Sequence, residues 1–155
     1  MKQLYPRVEM TSRFEQVVAD TNVDAVVIAV PVRLHFEMAK EALEAGKHVF
    51  VEKPMARSSQ ECLELIDLAD RRDLTLMVGH TFVYSTPVRA MKDIIDSGQL
   101  GDIQHISSRR LNLGLYQKDI NVAWDLAPHD LSILLHLLGR MPTSVNCQGL
   151  SLIHI

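Results

Sequence analysis

Residues 23–31 read Val-Asp-Ala-Val-Val-Ile-Ala-Val-Pro, and this stretch decides the fold. Within it, Ala25–Val30 is an unbroken apolar run rich in β-branched residues. A run with no polar alternation is the pattern of a strand buried on both faces, as in a parallel sheet. Pro31 stops it, because proline has no backbone N–H to give to a ladder. From about Leu34 to Ala45 the pattern turns helical, and Gly46 closes it just past the end, where a left-handed residue is favoured.

Working outward, the same alternation repeats. Val8–Thr11 is a short strand candidate, followed by a helix from about Ser12 to Asp20, with Ser12 as cap and Glu15 three residues on. Downstream, His48–Val51 is a strand ended by Pro54, Ser59–Arg72 a helix, Leu74–Val78 a strand stopped at Gly79, and Pro87–Ser97 a helix closed by Gly98. Strands and helices alternating with short connections imply an α/β fold, a doubly wound parallel sheet of the Rossmann type. After Gly101 the texture changes. Ile103–Arg110 mixes polar residues into a longer strand suited to an antiparallel sheet, residues 111–123 are irregular, and an apolar helix runs from near Pro128 to Leu138, ending at Gly139. The division falls near residue 100. Residues 1–100 form a partial dinucleotide-binding domain, and residues 101–155 the start of a second α/β domain for substrate and oligomer contacts.

Composition bounds the function. Of 155 residues, 47% are hydrophobic and 23% charged, the balance of a folded globular chain. A formal net charge of −3 argues against a nucleic-acid surface. No run reaches the roughly 18 apolar residues of a membrane span, and MKQLYPRVEM has no apolar signal core. Cys62 and Cys147 read as isolated thiols in packed positions, which fits a reducing cytoplasm better than a disulfide framework. Neither has a partner at metal-ligand spacing, so no metal site is expected.

The chemistry-bearing residues gather where strands end. Glu52-Lys53-Pro54 follows the third strand candidate at its carboxyl end, the edge on which open α/β sheets bind ligands. A lysine there can meet a substrate oxygen; it can equally be a surface residue paired with Glu52. Ala29 and Val30 at the end of the preceding strand, with Pro31 and His35 after it, hold the matching position, where a helix N-terminus can face a cofactor; His35 could instead simply face solvent. Asp125 and His129 lie four apart, on one face of a continuous helix. Pro128 is best tolerated in a first turn, so Asp125 could also precede the helix or cap it. A carboxylate beside an imidazole orients it and raises its basicity, as a proton acceptor needs. His80, Thr81 and Tyr84 follow the next strand and could line a pocket. Trp124 could stack on a ring or pack in the core. Arg109, Arg110 and Asn112 could bind a polar substrate or be solvated, and His136, among leucines, reads as structural.

Taken in order, the segments VDAVVIAVPxxxH (23–35), EAGKHVFVEKP (44–54), VGHTF (78–82), SGQLGDI (97–103) and WDLAPHDL (124–131) resemble the family of glucose–fructose oxidoreductase and inositol dehydrogenase, over roughly residues 7–145. The resemblance implies a nicotinamide-binding Rossmann domain followed by an α/β domain with a large, mostly antiparallel sheet. It implies NAD or NADP as cofactor, a sugar, polyol or nucleotide sugar as substrate, and a homo-oligomer for the full-length enzyme. Residue by residue, Lys53 becomes the catalytic lysine, with Pro54 often joined to it through a cis peptide. His129 takes or returns the hydroxyl proton, while Lys53 and Asp125 polarise and orient the oxygen. Glu52 and the Pro31–His35 turn contact the ribose and nicotinamide side, with His80 and Trp124 beside them. The stretch 81–85, TFVYS, and the WDLAPHD segment resemble the nucleotide-sugar and sugar 3-dehydrogenase branch.

The pattern departs from the family in one respect. The seven glycines, at 46, 79, 98, 101, 114, 139 and 149, contain no G-x-G-x-x-G turn. The expectation is a piece of a longer product, preceded by about one β-α-β unit of roughly 30 residues or more, with much of the second sheet also outside it. By itself such a piece is expected to be inactive. The other reading is a non-catalytic binding or dimerising module that kept the sheet and lost the cofactor grip.

Overall fold

The computed structural model describes residues 5–111 and 120–149. Helix α1 (Phe14–Ala19) leads into strand β1 (Ala25–Ile28), then helix α2 (His35–Glu44), strand β2 (His48–Val51), helix α3 (Ser59–Arg71), strand β3 (Leu76–Val78), helix α4 (Thr86–Asp96) and helix α5 (Val122–Leu138). The strands form one parallel sheet in the order β1-β2-β3, with Ala25 opposite His48 and Val49 opposite Leu76. This is the Rossmann-like half of the expectation.

Local chemistry explains the boundaries. Ser58 caps α3 by accepting from the Glu61 N–H. Gly46 and Gly139 adopt left-handed φ values of 78° and 63° beyond α2 and α5, as the glycine stop signals require. The core lies against one face of the sheet: Val26, Ile28, Val49 and Val51 pack with Ala39, Ala42 and Leu43 of α2 and Leu65, Leu68 and Ala69 of α3.

Several expectations are corrected. The β1 strand is not buried on both faces: Val26 and Ile28 are buried while Val27 is 71% exposed. Helices α2 and α3 share the face of Val26 and Ile28, and no described helix covers Val27. The strand itself stops at Ile28, so Ala29 and Val30 belong to the turn. Val8–Thr11 forms no strand, and Val8 and Met10 are exposed. An isolated extended segment has no partner for its backbone groups, and no described strand offers one. The same reason holds for Ile103–Arg110, which pairs with no described strand, so no antiparallel second sheet is present among the described residues. Arg13, not Ser12, stands at the start of α1. Cys62 is half-buried and Cys147 exposed, so the second thiol is not a packing residue.

The largest shift concerns α5. It starts at Val122, not near Pro128, because Asn121 caps it by accepting from the Trp124 N–H. Pro128 therefore sits inside the helix, where its missing N–H leaves the Trp124 carbonyl without the usual i−4 donor. Residues 112–119 and 150–155, including the candidate Asn112 and the apolar end Ser151–Ile155, lie outside the described residues.

Candidate active site

The site is assembled at the carboxyl ends of the strands. Backbone bonds carry the chain past the sheet: the Glu52 N–H donates to the Ile28 carbonyl and the Gly79 N–H to the Val51 carbonyl. This aligns the three strand-end segments side by side. The Lys53–Pro54 peptide is cis.

The Lys53 side chain is joined to α5, not to the Glu52 carboxylate. Its Nζ donates to Asp125 Oδ1 at 2.9 Å and to the Asp125 carbonyl at 2.8 Å. Both side chains keep a fraction of their surface in water, so the pair orients more than it stabilises. Because α5 begins at Val122, Asp125 is in its first turn and His129 lies one turn on. The continuous-helix alternative is the one realised. The Trp124 indole N–H donates to the Ala56 carbonyl at 3.0 Å, a second link between α5 and the loop after β2.

His129 meets Phe82 edge-on, with ring centroids 4.8 Å apart. Its pKa is lowered, first by burial, then by the positive charges of Lys53 and Arg110, with Asp125 and Asp130 opposing. Its Nδ1 is buried, with no hydrogen-bond partner among the described residues. Burial likewise lowers the pKa of His80, whose Nδ1 is also buried with no hydrogen-bond partner among the described residues.

His35 is 1% exposed, so it does not face solvent. One ring nitrogen lies 2.8 Å from the Pro54 carbonyl and the other 2.8 Å from the Val30 carbonyl. The ring's polar contacts go to the backbone, so His35 shapes the turn rather than offering a nitrogen to a ligand. Gly79 has a comparable role. A Cβ built there would meet the Glu52 carboxyl at 3.1 Å, so a larger residue would press that carboxylate a few tenths of an ångström away from the strand end. Glu52 in turn accepts from the Lys53 N–H at 3.3 Å.

Two cavities share Pro54 as a wall. One, of about 380 Å³, is lined by Val30, Pro31, Val32, His35, Glu52, Lys53, Pro54, Ile120 and Asp125. It gathers six of the nine expected cofactor positions together with the Lys53–Asp125 pair. The other, of about 730 Å³, is mostly apolar and includes His80, Tyr84, Trp124, Leu131 and His136 in its wall. His80 and Trp124 thus fall on a different side of Pro54 from Glu52. Ala29 lines neither cavity, and neither does His129. Among the residues missed from sequence, Val32 and Ile120 carry no distinctive chemistry, while Phe82 and Asp130 lie inside the segments 78–82 and 124–131 with nothing in their spacing to mark them as site residues. Arg110 is engaged with Asp130 rather than open to a substrate.

The donor set fits the nicotinamide side of a dinucleotide. It offers a strand-end crevice, a glycine that admits the Glu52 carboxylate, and an unpartnered His80 nitrogen. The glycine turn that would hold a pyrophosphate is not in the sequence.

Comparison with known proteins agrees with this geometry. Residues 3–80 match the oxidoreductase family with NAD-binding Rossmann fold, GFO/IDH/MocA. Residues 88–154 match a GFO/IDH/MocA C-terminal domain. A dTDP-3,4-didehydro-2,6-dideoxy-α-D-glucose 3-reductase of Streptomyces violaceoruber is 40% identical over 56% of this chain and 25% of its own length. The NADP-dependent scyllo-inositol 2-dehydrogenase IolW of Bacillus subtilis is 28% identical over 96% of this chain and 44% of its own. The crystal structure of an NAD-binding protein from Listeria innocua superposes with a TM-score of 0.77 at 31% identity, over 85% of this chain and 40% of that one. The chain spans less than half the length of these relatives. On the two family matches, which together run through most of its length, the chain belongs to the GFO/IDH/MocA oxidoreductase family.

Proposed function

We propose that this chain supplies the reaction centre of an NAD(P)-dependent oxidoreductase that interconverts a secondary hydroxyl and a ketone on a sugar, polyol or nucleotide sugar. One observation carries the reading: Lys53 Nζ, at a strand end, is held by Asp125 one helical turn from His129, a half-buried imidazole whose pKa is lowered. When bound, the nicotinamide supplies the hydride acceptor or donor. Val30, Pro31, Glu52, Lys53 and Pro54 would hold its ribose side, with His80 and Trp124 bordering the neighbouring cavity. Lys53 Nζ, kept in place by Asp125, hydrogen-bonds the reacting oxygen. His129, with its lowered pKa, is unprotonated near neutrality and takes the hydroxyl proton in the oxidative direction, returning it in reduction. The relatives named for a nucleotide-sugar reductase and an inositol dehydrogenase support the substrate class.

The test is Lys53→Ala in the full-length gene product, assayed with NAD, NADP and a panel of sugars and polyols. Turnover is expected to fall by roughly 10²–10⁴-fold, far more than cofactor affinity. Unchanged turnover removes Lys53 from the mechanism. A second reading, a dimerising module without catalysis, is favoured by the apolar residues left exposed on and after α5, among them Leu131, Leu135, Met141 and Val145. Tight cofactor binding by the 155-residue chain would contradict it; a stable dimer without cofactor binding would support it.

A further inference from the structure

His129 belongs to a closed circuit of contacts that no sequence motif announces. Phe82, in the 3-10 turn Thr81–Tyr84, stands edge-on to the His129 ring at an interplanar angle of 84°. The Arg110 guanidinium lies over the same phenyl ring, 5.1 Å from its centroid. Arg110 donates through Nε and Nη2 to the two carboxylate oxygens of Asp130, and Ser108 Oγ donates to Asp130 Oδ1 at 2.8 Å. Asp130 follows His129 directly on α5, which closes the circuit. A bidentate arginine–carboxylate pair has a fixed plane, so Phe82 is held between a defined cation and the imidazole.

We propose that Phe82 and the Arg110–Asp130 pair are positioning residues for His129, sealing its Nδ1 and leaving Nε2 to exchange a proton with the substrate oxygen. The catalytic half of this statement rests on the function proposed above; the positioning half does not. The buried Nδ1, with no hydrogen-bond partner among the described residues, is what such a seal leaves behind. With Nδ1 closed off, proton exchange falls to Nε2.

The charged groups that act on the ring are Lys53 from the end of β2, Arg110 from the extended segment, and Asp125 and Asp130 from α5; the 3-10 turn adds the uncharged Phe82. Their signs give a test that a merely structural role would fail. The His129 ring is titrated by NMR in the 155-residue chain, with His129→Gln assigning its signals. Arg110→Gln removes a repelling cation and frees an attracting carboxylate, so the midpoint rises. Asp130→Asn removes the attraction, so the midpoint falls. Arg110→Lys keeps the charge and holds the midpoint near that of the parent. Phe82→Leu lets water reach the ring, so the midpoint rises and Nδ1 begins to exchange with solvent.

Opposite shifts for Arg110→Gln and Asp130→Asn support the proposal. Shifts of both in one direction, which general loosening would give, overturn it, as does an Nδ1 already in exchange in the parent chain. In the full-length enzyme, Phe82→Leu is expected to lower kcat while leaving the KM for cofactor unchanged. If the NMR pattern holds but His129→Gln leaves turnover intact, the positioning stands and the function proposed above falls.

Discussion

The two parts of the described chain are held together by different forces. Around β1, β2, α2 and α3, cohesion is apolar: Ile28, Leu43, Val49, Val51 and Leu65 are almost completely shielded from water. Helix α5 is richer in apolar residues than α2 or α3, yet Leu137 is its one buried residue. Its links to the sheet include the Lys53–Asp125 pair and the Trp124 indole on the Ala56 carbonyl. The sheet is therefore a platform that stands on its own core. The helix is docked by some of the same side chains that would perform the chemistry, so function and local stability are coupled on the α5 side and separate in the platform.

The strongest way to break that comparison is Lys53→Ala, already expected to cost roughly 10²–10⁴ in turnover. It should also raise amide exchange in the first turns of α5 while β1 and β2 keep their protection. Exchange that rises evenly across the molecule would erase the distinction. Next in size, Leu43→Ala removes a fully buried side chain from the platform and should cost about 2–5 kcal/mol in a denaturant titration. A loss confined to α5 would show that the two parts share one core.

A smaller effect concerns acidity. Burial and the nearby cations lower the His129 pKa, so the proposed proton acceptor stays deprotonated to a lower pH than ordinary histidine, whose value is about 6.5. The rate of alcohol oxidation should therefore persist below that pH and be lost only as pH falls through the lowered value. An acid limb above it would contradict the assignment. Smallest of all, Asn121→Ala removes the cap of α5 and should cost about 1 kcal/mol of helix stability, seen as fraying near Trp124 and unchanged melting of the sheet.

Legibility in the sequence follows the same division. The β1–β3 platform could be read because its elements carry local signals: β-branched runs for strands, Gly46 and Gly98 as stops. The strand-end location of Glu52, Lys53 and Pro31 followed from topology alone. What could not be read depends on neighbours. Ala25–Val30 has the composition of a strand covered on both sides, but coverage is a property of what packs there, and nothing described packs on Val27. Ile103–Arg110 has strand character without a described partner. The start of α5 was misplaced because proline's preference for a first turn outweighed the single cap at Asn121. Phe82 and Asp130 were missed because their part in the site comes from distance, not from spacing.

His35 has a mechanical consequence. Wedged with its ring nitrogens 2.8 Å from the carbonyls of Val30 and Pro54, it cross-braces two loops that arise from different strands and form one wall of the smaller cavity. Braced loops move as a single body, so that wall should behave as an anvil rather than a hinge. Opening and closing around a ligand then falls to the opposite side, where α5 is fastened by contacts that water can compete for. A labelled probe on α5 should accordingly report ligand arrival sooner and more strongly than one on the loop after β1.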